Sequence, residues 1–157
     1  MAAAGKFKVC ERAKLHFADG TAFSFAAETI KMALFTSASN ANTLSGSEKL
    51  ADLTNEVANA NGYTTGGATL AAPSWANVAG TETFSAGNGS WTAAGGSITA
   101  RFAVVYISGT VGGIVNPILC VSLLDTTPAD VTVADGQVLT VTINASGIFT
   151  LSGATTD

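Results

Sequence analysis

Few side chains in this sequence of 157 residues are equipped for covalent chemistry, and their spacing works against it. His16 is the single histidine, and Cys10, six residues earlier, falls off the one-turn spacing that two helical metal ligands need. A Ser-His-Asp triad would have to recruit that same His16, and no Gly-x-Ser-x-Gly elbow supplies a nucleophile. Glu28 with Glu82, or Asp125 with Asp130, are the available carboxylate pairs. The latter two flank Thr126-Thr127-Pro128 and read as turn formers. Asp125, Asp130 and Asp135 offer oxygens to a hard cation but lack calcium-loop spacing. Gly66-Gly67, Gly95-Gly96 and Gly112-Gly113 lack the Lys and Ser or Thr of a phosphate loop. No enzyme, cofactor or metal site is therefore expected.

Two sets of residues suit binding instead. Trp75 and Trp91, if exposed together, would stack on sugar rings; the plainer expectation is that each fills the end of a core or a subunit contact. Lys6, Lys8, Arg12 and Lys14 supply four of the seven positive charges within the first fourteen residues. Nothing after Arg101 is positive, while Asp125, Asp130, Asp135 and Asp157 lie there. With a net charge of −4, the whole chain has no electrostatic attraction to nucleic acid or to an anionic membrane, so neither is expected as a partner. The charge is segregated, and the expectation is a solvated basic start with an acidic rim, or head-to-tail contact between copies.

The elements that would position these residues are short strands. Charged residues are only 11% of the chain against roughly 25% in an average domain, and apolar residues are 47%, which excludes general disorder. Gly, Ala, Thr, Ser and Asn are plentiful, a mixture suited to strands joined by tight turns. Phe7, Cys10, Lys14 and Phe17 predict a short helix that stops at Asp19-Gly20. Ile30, Met32 and Leu34 alternate as the buried face of a strand, and Ser47 heads a second helix of barely two turns. Asn61-Gly62, Asn88-Gly89 and Asp135-Gly136 each predict a hairpin turn. Residues 131–134 and 137–143 should pair across the last of these, and a reversal at Asn144-Ala145-Ser146-Gly147 should add a third strand to a meander.

Residues 98–107 and 117–124 form the expected central pair, with Phe102, Val104, Tyr106, Leu119, Val121 and Leu123 in the core. Arg101 should find an acidic partner in the same sheet. Cys10 and Cys120 read as buried thiols, because two cysteines do not make a disulfide framework. No secretory h-region and no apolar run long enough to cross a bilayer can be drawn, which predicts a protein made in a cytoplasm. Residues 1–20 read as an N-terminal arm or short helix, and 21–157 as a single domain. The fold class expected is all-β with one or two short helices, an antiparallel, jelly-roll-like β-sandwich.

Ordered segments of the chain carry a resemblance. Thr29-Ile30-Lys31-Met32-Ala33-Leu34-Phe35-Thr36-Ser37 is followed by Leu53-Thr54-Asn55-Glu56-Val57, Gly62-Tyr63-Thr64 and Gly67-Ala68-Thr69-Leu70. Trp91, then Ile98-Thr99-Ala100-Arg101-Phe102-Ala103-Val104-Val105-Tyr106, and the closing Asn144-Ala145-Ser146-Gly147-Ile148-Phe149-Thr150-Leu151 complete the order. Together they resemble small virion structural proteins of tailed bacteriophages, over residues 7–151. The Ala-rich start and the uncharged stretch 118–124 depart from that pattern. The resemblance implies a β-rich head decoration or cement protein on the capsid exterior. Its partners would be the major capsid protein and further copies of itself, and it would carry no catalytic residues. A tail or adaptor protein, or a carbohydrate-binding β-sandwich, are the alternatives.

Overall fold

The computed structural model describes residues 5–17, 24–43, 46–78 and 80–152. In chain order the elements are β1 (Lys8–Val9), α1 (Glu11–His16), β2 (Ile30–Phe35), β3 (Ala68–Thr69), β4 (Ser74–Val78), β5 (Thr81–Ser85), β6 (Gly89–Thr92) and β7 (Ile98–Ala100). They continue with β8 (Phe102–Ile107), β9 (Thr110–Val111), β10 (Ile114–Val115), β11 (Ile118–Leu123), β12 (Val131–Val133), β13 (Val138–Val141) and β14 (Phe149–Ser152). Two single 3₁₀ turns, Asn40–Asn42 and Leu50–Asp52, lie between β2 and β3.

The two apolar runs expected at the centre do pair there. A five-stranded antiparallel sheet has the order β1-β11-β8-β2-β3, and all six residues of β8 are buried. Such burial requires cover on both faces. Ile30, Met32, Leu34, Ala103, Val105 and Ile107 point to one side, and Ala33, Phe35, Phe102, Val104 and Tyr106 to the other. The first side packs against a β14-β5-β4 sheet and the pairs β13-β6 and β12-β7, which contribute Phe84, Trp91, Ile98, Leu139 and Phe149. The second side is closed by Cys10, Ala13 and Ala41, with Leu50 and Leu53 packed against them. The protein is thus an all-β, antiparallel, sandwich-like fold with an added layer of helix and loop.

A bulge shapes β11. Ile118 lies opposite Tyr106 and Cys120 opposite Val105, so Leu119 is the extra residue. Leu119 and Cys120 therefore enter the inner core in succession, while Ile118 and Val121 join the outer one. Of the six expected core residues, Leu123 alone is half-buried.

Other expectations need correction. The run 98–107 breaks at Arg101, whose N–H bonds Phe35 O at 2.8 Å, and β7 departs to pair with β12. The Asp135-Gly136 turn exists, closed by Gln137 N–H on Ala134 O at 2.9 Å, but it joins no hairpin. Asp135 Oδ1 accepts from Gly95 N–H at 2.7 Å and Gly136 N–H donates to Ala93 O at 2.8 Å. The turn is thereby bonded to the β6–β7 connection. β13 goes to β6 and β14 to β5, so the meander is not formed. Asn88-Gly89 is no turn either, because Gly89 lies within β6, where an added Cβ would come within 2.9 Å of both Met32 Sδ and the Trp91 ring. At Ser47 the expected helix is a single 3₁₀ turn, and Asp52, not Ser47, accepts the backbone N–H groups of Glu48 and Lys49.

Candidate functional site

Residues 5–17 are held against the sheet. Gly5 N–H bonds Leu123 O at 2.8 Å, Lys8 lies opposite Val121, and Cys10 N–H bonds Leu119 O at 2.9 Å. The strand period then sorts the side chains: Phe7 and Val9 are partly buried and pack on the inner core, while Lys6 and Lys8 are exposed. After Cys10 the chain turns into α1, whose Ala13 and His16 face inward while Arg12 and Lys14 stay in water. His16 Nε2 meets Glu48 Oε1 at 2.9 Å, tying α1 to the segment before the second 3₁₀ turn. The described part of the expected arm is therefore docked, by one strand and one helix, at an edge of the five-stranded sheet. Asp19-Gly20 and the expected boundary at residue 20 lie outside the described residues.

Lys6, Lys8, Arg12 and Lys14 thus share one short, docked segment. Among the described residues none of them has an ion-pair partner, in contrast to Arg101, whose Nε sits 2.7 Å from Asp130 Oδ1. Charge segregation from end to end is not what results, because Gly5 lies beside Leu123 and Asp125 follows directly on that strand. A cleft of about 780 Å³ borders this segment, lined by Lys6, Phe7 and Val9 on one side and by Val141, Ile148 and Phe149 on the other. One wall is β1, an edge strand of the large sheet, with the residues before it; the other is the end of β13, the connection to β14 and the start of β14.

The tryptophans are in separate settings. Trp91 is 6% exposed, packs 6.2 Å from the Tyr63 ring, and its buried Nε1 has no hydrogen-bond partner among the described residues. Trp75 is half-buried and stacks on Phe25 at 5.1 Å, within a cluster that includes Phe84 and Phe149. They offer no exposed pair of rings to a sugar.

Asp125, Asp130 and Glu82, three of the candidate carboxylates, are engaged in local structure. Asp125 accepts from the N–H and Oγ1 of Thr127, which hold its carboxyl below the usual range, and Asp130 takes Arg101 and, at 3.3 Å, Ser37. Glu82 bonds Asn77. No group of three His, Cys, Asp or Glu among the described residues could hold a metal ion.

A polar cluster that sequence reasoning missed lies under the loop preceding β3. Tyr63 Oη donates to Glu56 Oε1 at 2.6 Å and accepts Leu34 N–H at 3.0 Å. Gly66 N–H donates to the same Glu56 oxygen at 2.6 Å, and Tyr106 Oη donates to Gly66 O at 2.7 Å. Burial, with the Glu56 carboxylate nearby, pushes Tyr106 up to about 12 and Tyr63 higher still. Such phenols hold their protons at neutral pH, and as donors they clamp the loop. The clamp needs Gly67, at φ +69°, because an added Cβ would lie 1.8 Å from Met32 O. No pattern in the sequence marks it, since Glu56 and Tyr63 sit in an aperiodic loop.

Both cysteines are free and buried, as the sequence suggested. Burial raises the Cys10 thiol to about 12 against the pull of Lys14, and raises Cys120 as well. No protein-family model, curated protein or solved structure matches the chain.

Proposed function

We propose that the protein is a virion structural protein, a head decoration or cement protein that binds the outside of a phage capsid and bridges neighbouring capsomers. The observation that carries this reading is the docked segment with Lys6, Lys8, Arg12 and Lys14 exposed and unpaired among the described residues, in a chain whose net charge is −4. Cations left uncompensated on a fixed strand and helix steer the protein toward an acidic surface and select its orientation there. The resemblance of the ordered sequence segments to small phage structural proteins is in keeping with this reading. So does a sandwich-like fold with little charge, which suits a protein whose surface is covered by neighbours. Repeated over a shell, individually modest contacts add through multivalency.

Truncating residues 1–14 would not test this, because it would strip Cys10 and Ala13 from the core as well as the charges. The test is a fourfold variant, Lys6→Glu, Lys8→Glu, Arg12→Glu and Lys14→Glu, all at exposed positions. It is added to shells assembled from the particle's own major capsid protein, and bound copies are counted. Wild type should load in hundreds of copies and dissociate with added salt, and the variant should lose most of its occupancy while keeping its circular dichroism. Undiminished loading of the variant refutes the charge assignment. A dozen or fewer copies in complete purified particles would move the protein to the tail.

A further inference from the structure

We infer that the outer edge of β1 accepts an extended polypeptide strand, and that the accepted strand alternates apolar with acidic side chains. This goes beyond the virion reading and does not rest on it, because it specifies the chemistry of a bound segment and not the particle that carries it.

The backbone provides the first argument. Among the described residues β1 is paired on one side only, with β11. Cys10 N–H is bonded to Leu119 O, and Lys8 lies opposite Val121 two positions earlier. In an antiparallel ladder, N–H and C=O groups alternate between the two edges. Cys10 and Lys8 thus face β11, which leaves those of Phe7 and Val9 directed outward. A sheet edge with free donors and acceptors is a template for a further strand.

Space and polarity define what kind of strand fits. The cleft of about 780 Å³ lies along this edge, with Phe7, Val9, Ile148 and Phe149 on its walls. Those residues are apolar, and Phe7 and Val9 retain partial exposure. Alternate side chains of an incoming strand would enter the cleft, and those that meet Phe7 and Val9 are best apolar, while the far wall also offers Thr142, Asn144, Ser146 and Thr150. The intervening ones would lie on the side of Lys6 and Lys8, where opposite charges across a strand pair are favourable and like charges are not. Period 2 in β1 thus dictates period 2 in the ligand. The cleft-lining residues include Lys6 and no acid, and on the other side the exposed Lys6 and Lys8 are followed by a single acid, Glu11, at the start of α1.

The proposal is tested with two acetylated synthetic peptides, Val-Glu-Val-Glu-Val-Glu and Val-Lys-Val-Lys-Val-Lys, titrated into isotope-labelled full-length protein. The first should shift the amide resonances of Phe7, Val9, Ile148 and Phe149 and slow exchange of the Phe7 and Val9 amides at least tenfold. The second should do neither. Val9→Pro removes an outward N–H and leaves the bonds of Lys8 and Cys10 to β11, so it should weaken binding at least tenfold with an unchanged circular dichroism spectrum. Should Val9→Pro unfold, the double variant Lys6→Glu, Lys8→Glu takes its place, and it should prefer the lysine peptide. Equal binding of both peptides overturns the proposal. So does binding without protection of the Phe7 and Val9 amides, undiminished binding by a folded Val9→Pro, or no binding at all.

Discussion

Tyr63→Phe removes one oxygen atom from a fully enclosed position and should be among the more damaging conservative changes in the molecule. The Tyr63 hydroxyl is the acceptor for Leu34 N–H, on a strand residue with 0% exposure, and it also donates to Glu56. A buried donor left without an acceptor costs about 1–3 kcal/mol, and a hydrogen bond to a charged group contributes about 1.5–3 kcal/mol. Glu56 is half-buried and keeps Gly66 N–H, so its share lies at the low end. The expected loss is about 2–4 kcal/mol, a large fraction of the roughly 5–15 kcal/mol that holds a domain folded. With a urea slope of about 2 kcal/mol/M, the unfolding midpoint should fall by about 1–2 M. Tyr106→Phe is the internal control: it breaks only a bond to Gly66 O and should cost about 1 kcal/mol. A double-mutant cycle of Tyr63→Phe with Glu56→Gln should show coupling of at least about 0.5 kcal/mol. If Tyr63→Phe costs no more than Tyr106→Phe, the hydroxyl does not hold the loop to β2 and the reasoning fails.

Two further outcomes follow from groups whose protons burial protects. Both tyrosines of the chain have folded values raised above the ordinary 10, so the stability they confer is complete below pH 10 and declines as pH rises beyond it. Tyrosinate absorbance should stay flat through pH 10 and then rise together with loss of structure; a separate early step at pH 10 would contradict the burial of the clamp. Cys10 and Cys120 should react with a disulfide reagent at mildly alkaline pH far more slowly than the same thiols in urea, and Cys10 should react first, because it lies at the sheet edge and Cys120 beneath it. Equal rates in the folded and denatured protein, measured by mass spectrometry, would show that residues 5–17 are not docked.

The central strands were legible because burial leaves its mark on composition. Ile30, Met32 and Leu34, and the two apolar runs ending at Ile107 and Leu124, could hardly be anything but interior strands. Turns were legible as well, though not the hairpin expected at Asn61-Gly62: both residues adopt positive φ, but no strand precedes them after β2 and β3 pairs with β2, while Gly147 N–H does close on Asn144 O. What local chemistry does not encode is the choice of partner. Asp135-Gly136 reverses the chain, yet the strands on either side pair with β7 and β6, because Asp135 and Gly136 bond the β6–β7 connection. The bulge at Leu119 was equally hidden, since one additional apolar residue in an apolar run looks like its neighbours. At the candidate site, the four cations were visible as residue types, but not the strand and helix that fix them, nor the cleft that borders them.

The pairing of Lys8 with Val121 spans 113 residues of sequence, 121 minus 8, and this sets an order of events during synthesis. When the first strand leaves the ribosome, its partner has not been made, and at roughly 5–20 residues per second the wait is several seconds or more. Through that interval Phe7 and Val9 travel with a nascent chain that has nowhere to put them. β1 can only be among the last strands installed, and ladders closed over such separations form slowly. Production at high concentration should therefore gain more from lower temperature, at which exposed apolar side chains associate less strongly, than from any change to the core.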